Sequence, residues 1–447
     1  MVRGMASRMD PLREVARRHG PRRAVIDRGA GFWISWFDLD GLAQTWASRF
    51  ERAGLSPGER VAVVEPAGVR FASLLHGCLR FGAALVPISP RAPAAEVDLL
   101  LEDCRPRLLV RDGEVEPLPD PAVGDPEDVC VLYTSGTSGP PKGVRLTLAN
   151  QVASARGCAK GLEATEADRW LLCLGPHHVG GLGIFLRSVL CNQPVVALAG
   201  FEVAAVLEAI RAERPTLVSL VPTMLGRLLA AGGLDELRSL RAILVGGAPV
   251  PAETAREWSR LGLTVCPSYG LTETCSQVSI VPPGRAAELA GTAGLVGPQA
   301  SIEIVNGEIV VSGHAVSPGY LNPALVPGPS AGRFPTGDLG RLQGGVLTVL
   351  GRRDDTIITG GENVHPDQVE AVLREHPSVA DAAVAGRPDP TWGQVVAAWV
   401  VAEGVTAADL DAWCRDRLAA FKVPRRWTFV DALPRSGGGK LRRRDLT

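Results

Sequence analysis

Continuous apolar runs of strand length alternate with helix-period segments through most of the chain, and this constrains the fold more than any other feature. Arg60-Val61-Ala62-Val63-Val64 reads as a strand, Val69 to Phe81 as a helix, Ala84-Leu85-Val86-Pro87-Ile88 as a strand and Ala94 to Asp103 as a helix. Similar apolar runs recur at Trp170–Leu174, Pro194–Leu198, Thr216–Val221 and Ala242–Val245. Helical segments such as Glu202–Glu213 lie between them, and Pro215 helps to end that one. A strand that is apolar on both faces must be covered on both, so helices are expected to flank largely parallel sheets.

After about residue 295 the texture changes. Ile302 to Val311 contains Asn306-Gly307 between two apolar stretches, the pattern of a hairpin with a tight turn. Gly344-Gly345 precedes another short strand, Val346–Leu350, which suggests a small β subdomain over about 295–350. The charged stretch Gly351-Arg352-Arg353-Asp354-Asp355 reads as a junction. Beyond it come a helix at Asp367–Glu375, paired strands near Ala380–Val384 and Val395–Val401, and a helix at Ala407–Ala420. The expected architecture is α/β. A large N-terminal domain, residues 1–351, holds layered αβ sheets and the β subdomain; a smaller α+β C-terminal domain takes residues 352–447.

Bulk properties narrow the function. A net charge of −1 over 447 residues argues against a general nucleic-acid binder. The nine cysteines form no CxxC pairs and no zinc spacing, which suits a reducing compartment. No apolar run approaches the ~18 residues that span a bilayer, and the arginine-rich N-terminus lacks the apolar core of a secretory signal. The expectation is a cytoplasmic protein with no stable membrane insertion. Its oligomeric state is open, a homo-oligomer included.

The chemistry is carried first by Tyr133-Thr134-Ser135-Gly136-Thr137-Ser138-Gly139-Pro140-Pro141-Lys142-Gly143, which follows the apolar run Val129–Leu132. Glycines let backbone N–H groups turn inward, hydroxyls add donors and a lysine adds a point charge: a cradle for a polyphosphate, ATP above all. It is not a Walker A loop, which needs Gly-Lys followed by Ser or Thr. Four further motifs lie downstream: Ser268-Tyr269-Gly270-Leu271-Thr272-Glu273-Thr274; Thr336-Gly337-Asp338; Gly351 to Asp355 leading into Gly360-Gly361-Glu362-Asn363-Val364; and Pro434-Arg435-Ser436-Gly437-Gly438-Gly439-Lys440.

These five motifs, in this order and across essentially the whole chain, resemble the acyl-adenylate-forming superfamily of acyl-CoA synthetases, luciferases and peptide-synthetase adenylation domains. Residues 269–277 look most like the o-succinylbenzoate–CoA ligases of menaquinone synthesis. The resemblance implies an ATP-dependent acid–thiol ligase that adenylates a carboxylic acid with Mg²⁺ and passes the acyl group to CoA. Related readings are another aryl- or acyl-CoA synthetase, a carrier-protein-loading enzyme, or a nucleotide-binding homologue without turnover.

By the same resemblance, Thr134, Ser135, Gly136, Thr137, Ser138, Gly139 and Lys142 grip the β- and γ-phosphates. Thr272 faces the α-phosphate and Glu273 is the magnesium carboxylate, although a glutamate after Thr272 also suits a helix start. Tyr269, with Ser268 and Gly270, and the Gly246-Gly247-Ala248 turn edge the adenine. Asp338 accepts the ribose hydroxyls and Arg352 adds a second ribose contact; as plain sequence, they could be a turn aspartate and a linker arginine. Asp354 is the hinge of a mobile C-terminal domain. Lys440 bridges the carboxylate and the α-phosphate, and Gly360, Gly361, Glu362 and Asn363 approach the thiol tunnel. His177, His178 and Gly181 line the acyl site or gate ATP, and Thr274, Ser276 and Gln277 line the acyl site or face the phosphates. Two departures stand out: Gly437-Gly438-Gly439 loosens the approach to the lysine, and Pro140-Pro141 stiffens the phosphate loop.

Overall fold

The computed structural model describes residues 11–134, 142–322, 328–330, 332–359, 362–435 and 441–446, with the side chains of Asn363 and Arg444 outside the description. Two large sheets dominate. In the first, four parallel strands run in the order Asp128–Thr134, Ala84–Pro87, Arg60–Val64, Leu108–Arg111. Arg60–Val64 is buried along its whole length, as its unbroken apolar run requires. Helix Val69–Phe81 has the bounds that the periodicity predicts and is closed by Gly82 at φ +82°.

The second sheet joins two textures. Strands Val195–Ala197, Trp170–Leu172, Leu217–Leu220, Ala242–Val245 and Val265–Leu271 lie side by side and parallel. Each expected strand is present; Ala242–Val245 keeps its expected bounds, and the others lose one or two residues at their ends. The last strand then changes partner. Val265 to Pro267 pair in parallel with Ile243 to Val245, whereas Ser268 to Leu271 pair antiparallel with Ser276–Ile280. Antiparallel pairing therefore sets in at Ser268, and the hairpins after residue 295 continue the same sheet. Asn306 (φ +51°) and Gly307 (φ +82°) form the expected tight turn between Ser301–Val305 and Glu308–Ser312.

Beyond Gly351 a separate hydrophobic cluster forms, with Ile357, Val369, Leu373, Val384, Val396, Val400 and Leu410 at its centre. Strands Val379–Asp389 and Gly393–Ala402 build an antiparallel pair, flanked by helices Pro366–Arg374 and Ala407–Arg415. The second helix stops five residues before the expected Ala420, where a short 3₁₀ turn, Ala420–Lys422, follows. Among the described residues no helix is long and apolar enough to cross a membrane.

Candidate active site

The segment expected to cradle phosphates is flanked by strands Asp128–Thr134 and Lys142–Thr147, which pair antiparallel with Thr134 opposite Lys142. Thr134 and Lys142 are thereby held side by side at the two ends of the loop. Ser135, Gly136, Thr137, Ser138 and Gly139 lie outside the described residues, as do Gly360, Gly361 and Lys440.

Lys142 begins a line of contacts that crosses the motifs. Its Nζ lies 5.9 Å from the centre of the Tyr320 ring. The Tyr320 hydroxyl donates to Glu273 Oε1 at 2.8 Å. Glu273 sits in a 3₁₀ turn, Thr272–Thr274, directly after the partner-switching strand. The carboxylate does not cap that turn. Thr274 does so: its hydroxyl accepts the Leu271 N–H at 2.9 Å. Thr272 is half-buried beside Glu273.

One turn back along the strand, the half-buried Tyr269 donates its hydroxyl to Asp338 Oδ2 at 2.6 Å. Burial, and then the Asp338 charge, push that phenol well above its ordinary pKa, so it stays a donor. Gly270 permits the tight pairing here, because a Cβ on it would stand 2.0 Å from the Ser276 carbonyl oxygen. Asp338 lies on Arg333–Gln343 as the cross-strand partner of Arg352, after Gly337 at φ +74°. Arg352 donates to Asp338 Oδ1 at 2.9 Å and to the Thr336 carbonyl at 3.0 Å. Burial alone would lower the Arg352 pKa; the Asp338 charge, the hydrogen bond to it and the nearby Tyr269 and Asp354 together outweigh that effect and raise it, so the guanidinium stays ionised. Asp338 is 6% exposed and lies within a strand, so it is not a plain turn aspartate, whereas the Arg352 side chain is 40% exposed at the end of its strand.

The Gly246-Gly247-Ala248 turn follows strand Ala242–Val245 and touches this group through Ser268. Ser268 Oγ donates to the Val245 carbonyl at 3.0 Å, and a Cβ on Gly246 would come within 2.9 Å of that hydroxyl. Thr134, Lys142, Glu273, Tyr269, Asp338 and Arg352 thus border one region, reached from six different strands or turns.

The expected acyl residues divide. His178 is the N-terminal flank of helix Val179–Leu190, and its ring lies 4.3 Å from that of His177. Burial, then His178, then Arg91 lower the His177 pKa to about 4, so His177 is neutral at pH 7. Its Nδ1 is buried without a hydrogen-bond partner. Gly181 packs so closely that a Cβ would meet the Gly175 carbonyl at 2.3 Å. Ser276 Oγ donates to Gln277 Oε1 at 2.5 Å, while Gln277 Nε2 is buried without a partner. The Thr274 hydroxyl is wholly buried and bonded to backbone of Leu271 and Ser276.

The His177 shift has a measurable consequence. Between pH 6.5 and about 4 the unfolded imidazole binds a proton that the folded one refuses, so stability falls as pH drops through that window. His177→Gln is expected to narrow the difference in Tm between pH 7 and pH 4.5, measured by calorimetry.

Toward the C-terminal region, Asp354 is exposed and pairs loosely with Arg353 at 3.7 Å. Glu362 is exposed on strand Glu362–Val364. Two residues that the sequence reading did not single out emerge here. Tyr320, on the two-residue strand Gly319–Tyr320, is one. Trp392 is the other: it is 40% exposed with the Arg425 guanidinium 4.2 Å from its ring, next to Gly393, which pairs with Thr359. Neither a two-residue strand nor a lone loop tryptophan leaves a periodic signal.

Does this region suit a magnesium ion? Among the described residues no group of three His, Cys, Asp or Glu could cage a metal. Glu273 offers one carboxylate whose second oxygen has no protein partner among the described residues. A single carboxylate completed by phosphate oxygens and water is the usual setting for Mg²⁺, so the residues fit.

The sequence profile of the AMP-binding enzyme family matches residues 12–123 and 111–321, and that of the AMP-binding enzyme C-terminal domain matches 368–440. The chain belongs to the AMP-binding enzyme family. Within that family it is 37% identical to the 2-succinylbenzoate–CoA ligase of Bacillus licheniformis, over 95% of this chain and 97% of the other. The o-succinylbenzoate CoA synthetase of Bacillus subtilis, solved with the acyl-adenylate intermediate OSB-AMP, superimposes with a TM-score of 0.87 at 32% identity, covering 98% of this chain and 97% of that one. The same synthetase with ATP and magnesium ion superimposes equally well, at 0.87 and 32% identity, over 98% and 99% of the two chains. The AMP-binding enzymes thus share with this chain both the layered sheets and the small C-terminal unit.

Proposed function

We propose that the protein is an ATP-dependent acid–thiol ligase that joins 2-succinylbenzoate to CoA, releasing AMP and pyrophosphate. The observation that carries this reading is the pairing of two facts: near full-length identity of 37% to a 2-succinylbenzoate–CoA ligase, and two sets of contacts, Lys142–Tyr320–Glu273 and Tyr269–Asp338–Arg352, brought together by the segment that carries both Tyr269 and Glu273 and suited to one nucleotide.

The chemistry accounts for those residues. A carboxylate is a poor electrophile because its leaving group would be oxide. Attack of the acid on the α-phosphorus of ATP makes a mixed anhydride and expels pyrophosphate. Both reactants are anions, so the site must offset charge and hold them in line. Lys142, with the loop ahead of it, would grip the outer phosphates. Glu273 would hold Mg²⁺, which supplies charge neutralisation there when bound. Asp338 would accept the ribose hydroxyls and Arg352 would brace it. Tyr269 and the Gly246-Gly247-Ala248 turn would border the adenine. Lys440 would bridge the carboxylate and the α-phosphate.

In the second step a CoA thiol attacks the acyl carbonyl and AMP leaves. The C-terminal unit, from about residue 352, would turn at Asp354 to present its other face. The exposed Trp392 and the Arg425 guanidinium against it would offer a stacking surface and a cation to CoA. The neutral His177 and the unpartnered Gln277 amide would border the acyl group, with His178, Gly181 and Ser276 nearby. A cytoplasmic location fits substrates of this kind.

The test is pyrophosphate release with a panel of acids, with and without CoA. The proposal expects 2-succinylbenzoate to be used far better than benzoate or octanoate, and CoA thioester to appear only with CoA present. Preference for octanoate would refute the acid. AMP-acid formation with no thioester would refute the acceptor.

A further inference from the structure

Tyr320 touches both phosphate-side elements at once. Its ring carries the Lys142 ammonium at 5.9 Å and its hydroxyl reaches Glu273 Oε1 at 2.8 Å. The residue is only 7% exposed, and burial, then the Glu273 charge, raise its pKa far out of the working range. The ionised carboxylate can only accept, so the phenol donates.

The segment that carries Tyr320 is fixed from several sides. Strand Gly319–Tyr320 pairs antiparallel with Lys142–Thr147, setting Tyr320 opposite Val144. Ser317 is 1% exposed; its N–H donates to the Glu273 carbonyl at 2.8 Å and its hydroxyl to the Arg145 carbonyl at 2.6 Å. The Asn150 side-chain amide donates to the His314 and Val316 carbonyls at 2.8 and 2.9 Å. Residues 314–320 therefore bind the Lys142 strand to the Glu273 turn as a strut, and Tyr320 is where the strut meets the carboxylate.

We propose that Tyr320 is a positioning residue that fixes the Glu273 carboxylate, relative to Lys142, in the orientation that receives the metal ion of the nucleotide. One carboxylate oxygen is held by the phenol, and Oε2 would be the oxygen that holds the ion. A carboxylate ligand without such support swings between rotamers, and loss of an outer hydrogen bond of this kind weakens metal binding by ~10–100-fold. The inference rests on Glu273 being the metal carboxylate, and the experiment separates the two ideas.

Tyr320→Phe removes the hydroxyl and keeps the ring beneath Lys142. Mn²⁺ binding to the protein with a non-hydrolysable ATP analogue is titrated by electron paramagnetic resonance, alongside analogue binding in EDTA and thiolysis of a supplied acyl-AMP. The expected result is Mn²⁺ affinity reduced by about tenfold or more, with metal-free nucleotide affinity and thiolysis within about twofold of wild type. Glu273→Gln should weaken Mn²⁺ at least as much, and adding Tyr320→Phe to it should cost nothing further. If Glu273→Gln leaves Mn²⁺ affinity unchanged, the metal role of Glu273 fails and this inference with it. If Glu273→Gln weakens Mn²⁺ but Tyr320→Phe does not, or if their losses simply multiply, Tyr320 is only a packing residue. Unaltered metal-free nucleotide binding excludes misfolding as the cause.

Discussion

Lys440→Ala is expected to reduce acyl-adenylate formation by ~10³-fold, the scale of losing a charged donor from a developing anion, while thiolysis of a supplied acyl-AMP stays within a few-fold of wild type. The asymmetry follows from when the charge is needed. In the first step an anionic acid approaches an α-phosphate already bearing negative charge, and a cation between them lowers the barrier directly. In the second step pyrophosphate has gone and the nucleophile attacks carbon. The proposed turn at Asp354 would by then have carried Lys440 away. Pyrophosphate exchange and thioester formation from synthetic acyl-AMP, measured on the same preparation, decide the matter. Equal loss of both half-reactions would remove Lys440 from its assigned role.

The parallel part of the fold was legible because burial on both faces leaves an unmistakable mark. Arg60–Val64 and Ala242–Val245 are buried throughout and have the bounds that their apolar runs predict. The helix from Ala407 was extended too far for the converse reason. Asp416 to Ala420 contains good helix formers, so propensity supplies no stop at Arg415, where the helix ends. The onset of antiparallel pairing at Ser268 was hidden as well. Nothing in the sequence marks Gly270 as the site of a close strand approach, which becomes evident only from its antiparallel pairing with Gln277, beside Ser276.

In the site, residue types with unusual chemistry were readable and their connections were not. Asp338 and Arg352 were singled out separately; the hairpin that makes them cross-strand partners follows from Gly344-Gly345. Glu273 could have been a helix cap by sequence, and the Thr274 hydroxyl takes that place instead. Ser317 and Tyr320 lie in a stretch of turns where no period-2 or 3.6 signal can form. Their importance comes from contacts 47 residues apart in sequence, such as Tyr320 to Glu273.

Asp338→Asn should damage both half-reactions together, in contrast to Lys440→Ala. AMP is part of ATP and of the acyl-adenylate alike, so a ribose contact is in use throughout the cycle. Two hydrogen bonds to an ionised acceptor are worth ~1.5–3 kcal/mol each, which predicts a fall of roughly 10²-fold or more in kcat/KM for ATP and a comparable weakening of acyl-AMP binding. The local structure adds to the effect. Asp338 is 6% exposed and receives both the Tyr269 hydroxyl and the Arg352 guanidinium. An amide in its place keeps the shape but leaves Arg352 without its anionic partner and turns a donor toward one of its former donors. Tyr269, which would border the adenine, then loses its anchor too. Arg352→Lys tests this chain of dependence, because it keeps the charge and loses the fork that reaches Asp338 and the Thr336 carbonyl together. Its expected effect is smaller and of the same kind: weaker ATP and acyl-AMP binding, with the ratio of the two half-reaction rates unchanged. An Asp338→Asn enzyme that fails only in the thiolysis step would contradict the ribose role.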